Sequence, residues 1–246
     1  MFRTKKRFGQ HFLVNQAVLQ TISDYCKLTP ESFCIEVGPG QGALTRYLLM
    51  TDANIQAIEI DERLKPTLEK FKSAHQNFSY TMTGVLNVNL SSLMEGSVMT
   101  TVVGNLPYEI STPLLFKLVH SRRQIERMMF LLQKEVVDRI TASPSTKAYG
   151  RLAVMMQYYF EVEGLVQVPP EDFNPPPRVM SQVVRLVPKA RDNWVDYDLF
   201  SAFVKYLFAM QRKMLRQRFK GLLSPEDWAE LEIDPTQRPQ DLSLST

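Results

Sequence analysis

A buried strand ends in a four-residue segment whose groups suit chemistry on an aromatic amine. Residues 102–112 read VVGNLPYEIST, an apolar run that passes into Asn105, Leu106, Pro107 and Tyr108. An exocyclic base amine is a poor nucleophile because its lone pair is delocalised into the ring. Acceptors aimed at its two hydrogens favour a pyramidal nitrogen, and the Asn105 side-chain oxygen and the Leu106 carbonyl can supply them. Pro107 fixes the backbone so that this carbonyl points outward, and Tyr108 offers a flat face for a base pulled from its stack.

A second aromatic ring follows on a stiff loop farther along the chain. Phe173 stands in DFNPPPRV, where Pro175, Pro176 and Pro177 restrict the backbone. A ring held in this way loses little conformational entropy when it contacts a ligand. A loop phenylalanine more often fills the local core, and its combination with residues 105–108 is what favours a ligand contact. We expect Phe173 to form the other wall of the pocket.

A glycine-rich turn, EVGPGQG, stands between the first predicted strand and the helix after it. Gly38, Gly40 and Gly42 carry no Cβ, so a ligand can approach the backbone closely at the carboxyl end of the sheet. Glu59 ends the next strand, 21 residues beyond Gly38. A carboxylate there can accept both hydroxyl hydrogens of a ribose. The two features predict a nucleoside cofactor site, with a simple tight turn as the structural alternative.

The spacing of this turn favours S-adenosylmethionine over a nicotinamide dinucleotide. A dinucleotide would prefer G-x-G-x-x-G, with backbone amides aimed at a pyrophosphate. Here the spacing is G-x-G-x-G, Pro39 removes one amide donor, and Glu36 stands just before the turn. A carboxylate at that place repels phosphate but suits a sulfonium or ammonium group. An NAD-linked oxidoreductase remains the least favoured alternative.

The composition indicates a globular chain with basic ends. Its 246 residues are 44% hydrophobic and carry a formal net charge of +3, so a sizeable core is available. Residues 3–7 and 205–220 hold several cations and no acid, which favours a polyanionic partner such as nucleic acid. The start of the chain has no apolar stretch typical of a secretory signal, and no run is long enough to span a bilayer, so we expect a cytoplasmic protein. Cys26 and Cys34 lie in no metal-binding spacing, and we expect buried thiols and no metal site.

Short apolar runs alternate with helical stretches, which predicts an α/β fold with a parallel sheet. The predicted strands are residues 33–37, 54–60, 78–82, 98–105 and 125–133. Asn15 is expected to cap a helix over residues 16–27, and Thr112 and Pro113 to begin another. Strands near residues 163–169 and 182–188 flank a short loop and should pair antiparallel at a sheet edge.

Near residue 190 the pattern becomes all-helical and indicates a small second domain. A long helix is expected from Asp198 to Lys220, ended by Gly221, and a short one begins at Ser224. The long helix presents basic side chains on nearly one face, which predicts contact with RNA phosphates, while a solvated face is the alternative. These candidate RNA-binding residues are Arg212, Lys213, Arg216 and Lys220.

With these pieces in place, the chain resembles the small-subunit ribosomal RNA adenine N6-dimethyltransferases, the KsgA family. The resemblance runs almost end to end through KRFGQHFL, EVGPGQGALT, IEID, GNLPYEIST, LLQKEVVDRI, YGRLAVM, FNPPPRV, VVRLVP and RPQDLS. The NLPY segment alone indicates only an amino methyltransferase. The combination of LQKEVV, YGRL and F-x-PPP-x-V distinguishes the chain from related enzymes that methylate large-subunit RNA and confer antibiotic resistance.

The resemblance implies a Rossmann-like methyltransferase domain over residues 1–189 and a helical RNA-binding C-terminal domain over residues 190–246. It implies S-adenosylmethionine-dependent N6,N6-dimethylation of two adjacent adenines in a 3′-terminal hairpin of small-subunit rRNA. The expected partner is the immature 30S subunit, and nothing suggests more than a monomer. Asn105 to Tyr108 would hold the target amine, and Phe173 would stack on the adenine. The cofactor-binding residues expected from the turn and from the resemblance are His11, Leu13, Glu36, Gly38, Gly40, Glu59, Gly84 and Asn105.

Two positions depart from the pattern of the family. Gly84 stands where relatives usually carry an Asp that accepts a hydrogen bond from the cofactor adenine. Losing that bond would cost about 1.5–3 kcal/mol of affinity, of which a backbone group or Asn87 can replace part. Glu109 stands where Asn is common and adds negative charge beside a site that must admit RNA. These departures motivate a second hypothesis, a ribosome-assembly RNA-binding factor with weak or lost catalysis.

Overall fold

The computed structural model describes residues 10–97, 99–191, 193–210 and 213–244. Among these residues, seven strands form one mixed sheet. The strands along the chain are β1 (Phe12–Leu13), β2 (Phe33–Val37), β3 (Asn54–Glu59), β4 (Phe78–Met82), β5 (Thr100–Asn105), β6 (Ile125–Gln133), β7 (Phe160–Val168), β8 (Phe173–Asn174) and β9 (Ser181–Pro188). The large sheet has the order β4-β3-β2-β5-β6-β9-β7, and β1 and β8 form a separate two-stranded ladder.

The sheet is parallel from β4 to β6 and antiparallel at β9 and β7. The central strands β2 and β5 are almost entirely buried, as parallel strands packed on both faces must be. The predicted α/β class is therefore confirmed, and the strand limits 33–37, 78–82 and 125–133 match the structure to the residue. The two late strands also pair antiparallel as predicted, with β7 at the sheet edge.

The helices begin mostly where local capping signals predict. They are α1 (Gln16–Cys26), α2 (Ala43–Leu49), α3 (Lys65–Ala74), α4 (Leu90–Leu93), α5 (Tyr108–His120), α6 (Lys134–Ile140), α7 (Arg151–Tyr159), α8 (Tyr197–Phe208), α9 (Leu215–Arg218) and α10 (Pro225–Glu230). The Asn15 side chain accepts hydrogen bonds from the first turn of α1, and Ser224 begins α10 with a capping box. Within the described ranges, no helix has the length and apolar character needed to cross a bilayer.

The helix after β5 begins earlier than the sequence predicts. It starts at Tyr108, directly after Pro107, so Thr112 does not cap it and Pro113 does not open it. Pro113 lies inside the helix, where it lacks the N–H that would bond to the Glu109 carbonyl. The segment that carries the proposed chemistry is therefore a strand end followed at once by a helix start.

The predicted long helix over residues 198–220 is wrong. Helix α8 ends at Phe208, and α9 spans only four residues. The start of α9 pairs with a later segment: the Leu215 N–H donates to the Gln237 carbonyl at 2.8 Å, and the Arg216 N–H donates to the Pro235 carbonyl at 2.9 Å. These long-range bonds hold an irregular path that local helix propensity does not encode.

The described chain divides into two compact units. The first comprises Met1–Val137 and Phe160–Pro188, and the second comprises Asp138–Tyr159 and Lys189–Thr246. The expected limits, 1–189 and 190–246, differ from this division in residues 138–159.

An aromatic cluster explains why α7 groups with the second unit. The ring of Tyr158 lies 4.1 Å from that of Phe200, and the ring of Tyr159 lies 5.1 Å from that of Trp194, measured between centroids. Such ring pairs add to the stabilisation that comes from burial alone. The sequence of α7 indicates an apolar helix, but it does not indicate which aromatic residues the helix contacts.

Candidate functional site

A cavity of about 300 Å³ lies at the carboxyl ends of β2, β3 and β5, inside the first compact unit. Its volume is that of a small-molecule site, and its place in the sheet is where open α/β folds bind ligands. The predicted site residues that line it are His11, Gly38, Gly40, Glu59, Gly84, Asn105, Leu106, Pro107 and Phe173. The structure thus brings the glycine turn, the strand-end acid and the NLPY segment to one cavity.

Glycines allow the close backbone approach at the centre of this edge. Gly38 and Gly40 have φ angles of 70° and 58°, a conformation that residues with a Cβ rarely adopt. At Gly104, a Cβ would lie 2.4 Å from the Val37 carbonyl oxygen. Only glycine therefore lets the end of β5 run so close to β2, and this places Asn105 beside the glycine turn.

Glu59 is held at the end of β3 by three backbone donors. One carboxylate oxygen accepts from the Gly40 N–H at 3.1 Å, and the other accepts from the Ile60 and Asp61 N–H groups at 2.9 Å each. A carboxylate has about four acceptor sites, so capacity for a ligand hydroxyl remains. Burial raises the pKa of Glu59, while the three N–H donors act in the opposite direction. The carboxylate is thus oriented before any ligand binds.

Asp61 ties the segment after β3 to the start of the described chain. Its carboxylate accepts from Arg63 Nε at 2.8 Å and from Gln10 Nε2 at 3.0 Å. The Arg63 hydrogen bond and charge lower the pKa of Asp61 to about 2. Gln10 in turn lines the cavity. This contact is not predicted from the sequence, in which its one signal is a second acid two residues after Glu59.

The Asn105 side chain has a fixed orientation. Its Nδ2 donates to the His11 backbone carbonyl at 2.8 Å, which leaves the side-chain oxygen as an available acceptor. The His11 ring in turn donates through Nδ1 to the Pro175 carbonyl at 2.8 Å. Leu106 is buried, and its backbone N–H donates to the Leu131 carbonyl at 3.2 Å. The strand end, the N-terminal segment and the proline loop are therefore joined by hydrogen bonds.

Phe173 lines the cavity, but only 4% of it is exposed. It pairs with Leu13 in the short β1–β8 ladder and belongs to the hydrophobic core. The ring therefore packs in the core and also reaches the cavity, and its contact with a ligand stays a prediction. Tyr108 is the first residue of α5, and its side chain lies outside the described part of the structure.

Two predicted cofactor contacts, Leu13 and Glu36, lie outside the cavity lining, which corrects those expectations. Leu13 is packed in the hydrophobic core. Glu36 is buried behind the glycine turn, where its carboxylate accepts from the Thr45 hydroxyl at 2.7 Å. Burial raises the pKa of Glu36 to about 7. Both residues support the site from the interior because their side chains point into the protein.

The far end of the cavity is formed by the loop Thr83–Asn87 and by Ile60. The Thr83 N–H donates to the Glu59 carbonyl at 2.7 Å, and the Asn87 N–H donates to the Gly84 carbonyl at 2.9 Å. Lys117 Nζ donates to the Leu86 carbonyl at 2.6 Å. This loop is therefore held next to the strand-end acid at a position suited to a nucleobase.

The basic candidates in the second unit do not share one helix face. Arg212 lies outside the described residues, and Lys213 lies in a bend before α9. Arg216 belongs to α9, and Lys220 follows it in a turn. Arg216 and Lys220 are exposed and border a shallow surface with Trp228. Because the long helix is interrupted, Lys213, Arg216 and Lys220 do not form the expected basic face of one helix, and their contact with RNA stays a prediction.

The cavity fits a nucleoside cofactor without a pyrophosphate. Glu59 supplies an acceptor for ribose hydroxyls, and Ile58, Ile60 and Val85 supply apolar contact. Among the described residues that line the cavity, none is Lys or Arg. Anionic phosphates would therefore lack a cationic partner, whereas a positively charged sulfonium would not be repelled.

Comparison with known proteins agrees with this chemistry. The family model described as ribosomal RNA adenine dimethylase matches residues 1–243. The chain is 43% identical over 245 residues to the ribosomal RNA small subunit methyltransferase A of Pseudomonas aeruginosa. The match covers 99% of this chain and 91% of that relative.

Two solved structures share the fold. A dimethyladenosine transferase from Plasmodium falciparum is 27% identical with a TM-score of 0.77, and the match covers 90% of this chain and 78% of that one. The 23S rRNA methyltransferase ErmE is 23% identical with a TM-score of 0.75, and the match covers 94% of both chains. The likeness to ErmE is one of fold alone. The fold is thus the Rossmann-like methyltransferase fold.

Proposed function

The chain belongs to the ribosomal RNA adenine dimethylase family, and we propose on that premise that it dimethylates N6 of two adjacent adenines in a 3′-terminal hairpin of small-subunit rRNA. The methyl donor is S-adenosylmethionine. The observation that supports this function most strongly is the single cavity shared by Glu59, the glycine turn and Asn105. We place the reaction in the cytoplasm, on the immature 30S subunit, with the protein acting as a monomer.

Glu59 and the glycine turn bind the cofactor in this proposal. The Glu59 carboxylate accepts from a ribose hydroxyl with its remaining acceptor site, and Gly38 and Gly40 allow the ligand to approach the backbone. S-adenosylmethionine supplies, when bound, a methyl group on a positively charged sulfur. The protein aligns the attacking amine with that methyl group and supplies no nucleophile of its own.

Asn105 and Leu106 activate the target amine. The Asn105 side-chain oxygen and the Leu106 carbonyl accept hydrogen bonds from the N–H groups of the amine. The nitrogen therefore becomes pyramidal, and its lone pair is free to attack. The hydrogen bond from Asn105 to the His11 carbonyl keeps the amide from rotating, which makes the acceptor preorganised. The methylated ammonium releases its proton to solvent, so no general base is required.

Pro107, Phe173 and Tyr108 position the adenine. Pro107 fixes the backbone before α5, and we assign the aromatic wall to Phe173 and Tyr108. Because Phe173 is largely packed in the core, it offers the base a rigid aromatic surface that cannot turn away. The exposed cations Arg216 and Lys220 of the second unit attract the RNA phosphates.

Transfer of a labelled methyl group tests this function. Purified chain and labelled S-adenosylmethionine should modify immature small subunits and should leave already dimethylated subunits unlabelled. The variant Asn105→Ala should label neither while it still binds S-adenosylhomocysteine. Normal cofactor and subunit binding with no label from the wild-type chain would instead support the assembly factor without catalysis.

A further inference from the structure

The cavity end beyond Glu59 carries a carboxamide side chain suited to read the edge of a purine. Ile60 and Leu86 are partly exposed apolar residues that border this end, and Val85 is buried beneath it. Asn87 lines the same end and is exposed. The site thus combines apolar surfaces for a base with one carboxamide.

Gly84 leaves room for that carboxamide. Its φ of −73° and ψ of 129° suit any residue, so the backbone does not require glycine here. A Cβ at this position would lie 3.3 Å from Ile60 Cδ1 and 3.6 Å from Asn87 Nδ2. The Asn87 amide and the Ile60 side chain therefore stand around the space that a longer side chain at position 84 would enter.

The backbone of this turn is fixed while the Asn87 side chain keeps its hydrogen-bonding capacity. The Asn87 N–H bonds to the Gly84 carbonyl at 2.9 Å, and Lys117 holds the Leu86 carbonyl at 2.6 Å. Among the residues that the structure describes, no protein group bonds to the Asn87 carboxamide. An anchored residue with an unused amide is suited to contact a ligand.

An asparagine amide matches the amino edge of adenine. That edge presents the N6 amine as a donor and N7 as an acceptor, and the amide presents an oxygen and an NH₂ group with the complementary pattern. We propose that Asn87 determines the specificity of this chain for the adenine of its methyl donor, in the space that Gly84 leaves. This inference rests on the S-adenosylmethionine site proposed above.

Calorimetry with a cofactor analogue tests the inference without catalysis. The probes are S-adenosylhomocysteine and its 6-deamino analogue, in which purine replaces adenine. The wild-type chain should bind the first about three- to tenfold more tightly, the effect of one neutral hydrogen bond. Asn87→Ala should weaken the binding of S-adenosylhomocysteine more than that of the analogue, which keeps N7 but lacks the amine, so that the two ligands then bind alike. Asn54→Ala, a change at an exposed asparagine at the start of β3, is the matched control and should preserve the discrimination.

A second substitution tests whether position 84 shares the space. Gly84→Asp should restore the preference for the amine in the Asn87→Ala background, because its carboxylate then occupies the vacated space. In the wild-type background it should give no such gain, since it crowds Asn87. Equal gains in both backgrounds would overturn the proposal, as would an Asn87→Ala variant that still prefers the amine. If the wild-type chain bound neither probe, the proposed cofactor site itself would be contradicted. That result differs from failure of the Asn87 assignment alone, in which both probes still bind.

Discussion

The Asn105 side chain donates to the backbone carbonyl of His11 at 2.8 Å, across 94 positions of sequence. This bond decides which end of the amide remains free, and the free end is the oxygen that the proposed chemistry needs. It also attaches the N-terminal segment to the end of β5. The acceptor for the target amine is therefore set by a contact that the NLPY segment does not contain.

Replacing Asn105 with Ala should remove methyl transfer while cofactor binding remains. Loss of a preorganised hydrogen-bonding group in an active site lowers the rate about 10²- to 10³-fold, so that no product is detected in the time of the wild-type reaction, and the Glu59 contacts are untouched. Single-turnover transfer measures the rate, and calorimetry with S-adenosylhomocysteine measures binding. A variant that loses both equally would show that Asn105 only supports the cofactor pocket.

Replacing Glu36 with Gln should flatten the pH dependence of stability. The pKa of Glu36 is raised from 4.5 to about 7 by burial, so the folded state binds more protons than the unfolded state between these values. The free energy of unfolding therefore falls as pH rises through this window, by about 3 kcal/mol at most. Gln keeps an acceptor for the Thr45 hydroxyl and has no charge to bury.

Denaturant unfolding at about pH 4.5 and about pH 8 measures the effect on each side of that window. The wild-type chain should lose more stability than Glu36→Gln over this interval, and the variant should be the more stable at the higher pH. An identical loss in both proteins would contradict the assignment of the raised pKa to Glu36.

Replacing Gly104 with Ala should destabilise the chain and disturb the site. The added Cβ would meet the Val37 carbonyl oxygen at 2.4 Å, and backbone cannot yield as a flexible side chain can. A cost of about 1–3 kcal/mol is expected, as for other overpacked positions. Gly84→Ala is the control, because its Cβ would lie at 3.3 Å from a flexible Ile60 atom. Equal unfolding midpoints for the two variants would contradict the close approach of β5 to β2.

Replacing Glu109 with Gln should strengthen RNA binding at low salt. Glu109 is exposed and lines the cavity, so its charge repels phosphates that approach the site. We expect a gain of about two- to fivefold that shrinks as salt screens the charge. Titration of a hairpin RNA at several salt concentrations measures it, with Glu31→Gln, at an exposed position outside the cavity lining, as control. A gain that is equal in both variants would reflect net charge alone.

Local sequence patterns predict the limits of the sheet strands well and the limits of the C-terminal helices poorly. The apolar run of β2 is followed by the glycine turn, and that of β6 is followed by the polar start of α6, so their limits can be read from the sequence. Thr112 and Pro113 carry a normal helix-start signal, yet the end of β5 leads into α5 four residues before Thr112. The break before α9 depends on bonds to the segment 235–237, which local propensity cannot reveal.

The site was predictable where polar residues follow strands. Glu59 and Asn105 stand at strand ends that a parallel sheet must bring to one edge, and the cavity is lined by both. Gln10 is not predictable in this way because its place depends on a long-range hydrogen bond to Asp61. Glu36 borders the glycine turn in sequence, which predicts a place in the cavity lining, whereas its side chain is buried in the interior.

Mass analysis of nucleosides from the treated rRNA tests the central claim most directly. Immature small subunits incubated with the wild-type chain and S-adenosylmethionine should yield N6,N6-dimethyladenosine at two adjacent positions of the 3′-terminal hairpin, and Asn105→Ala should yield none. Methylation at another base, or an equal yield from Asn105→Ala, would contradict the assignment of this cavity to the adenine amine.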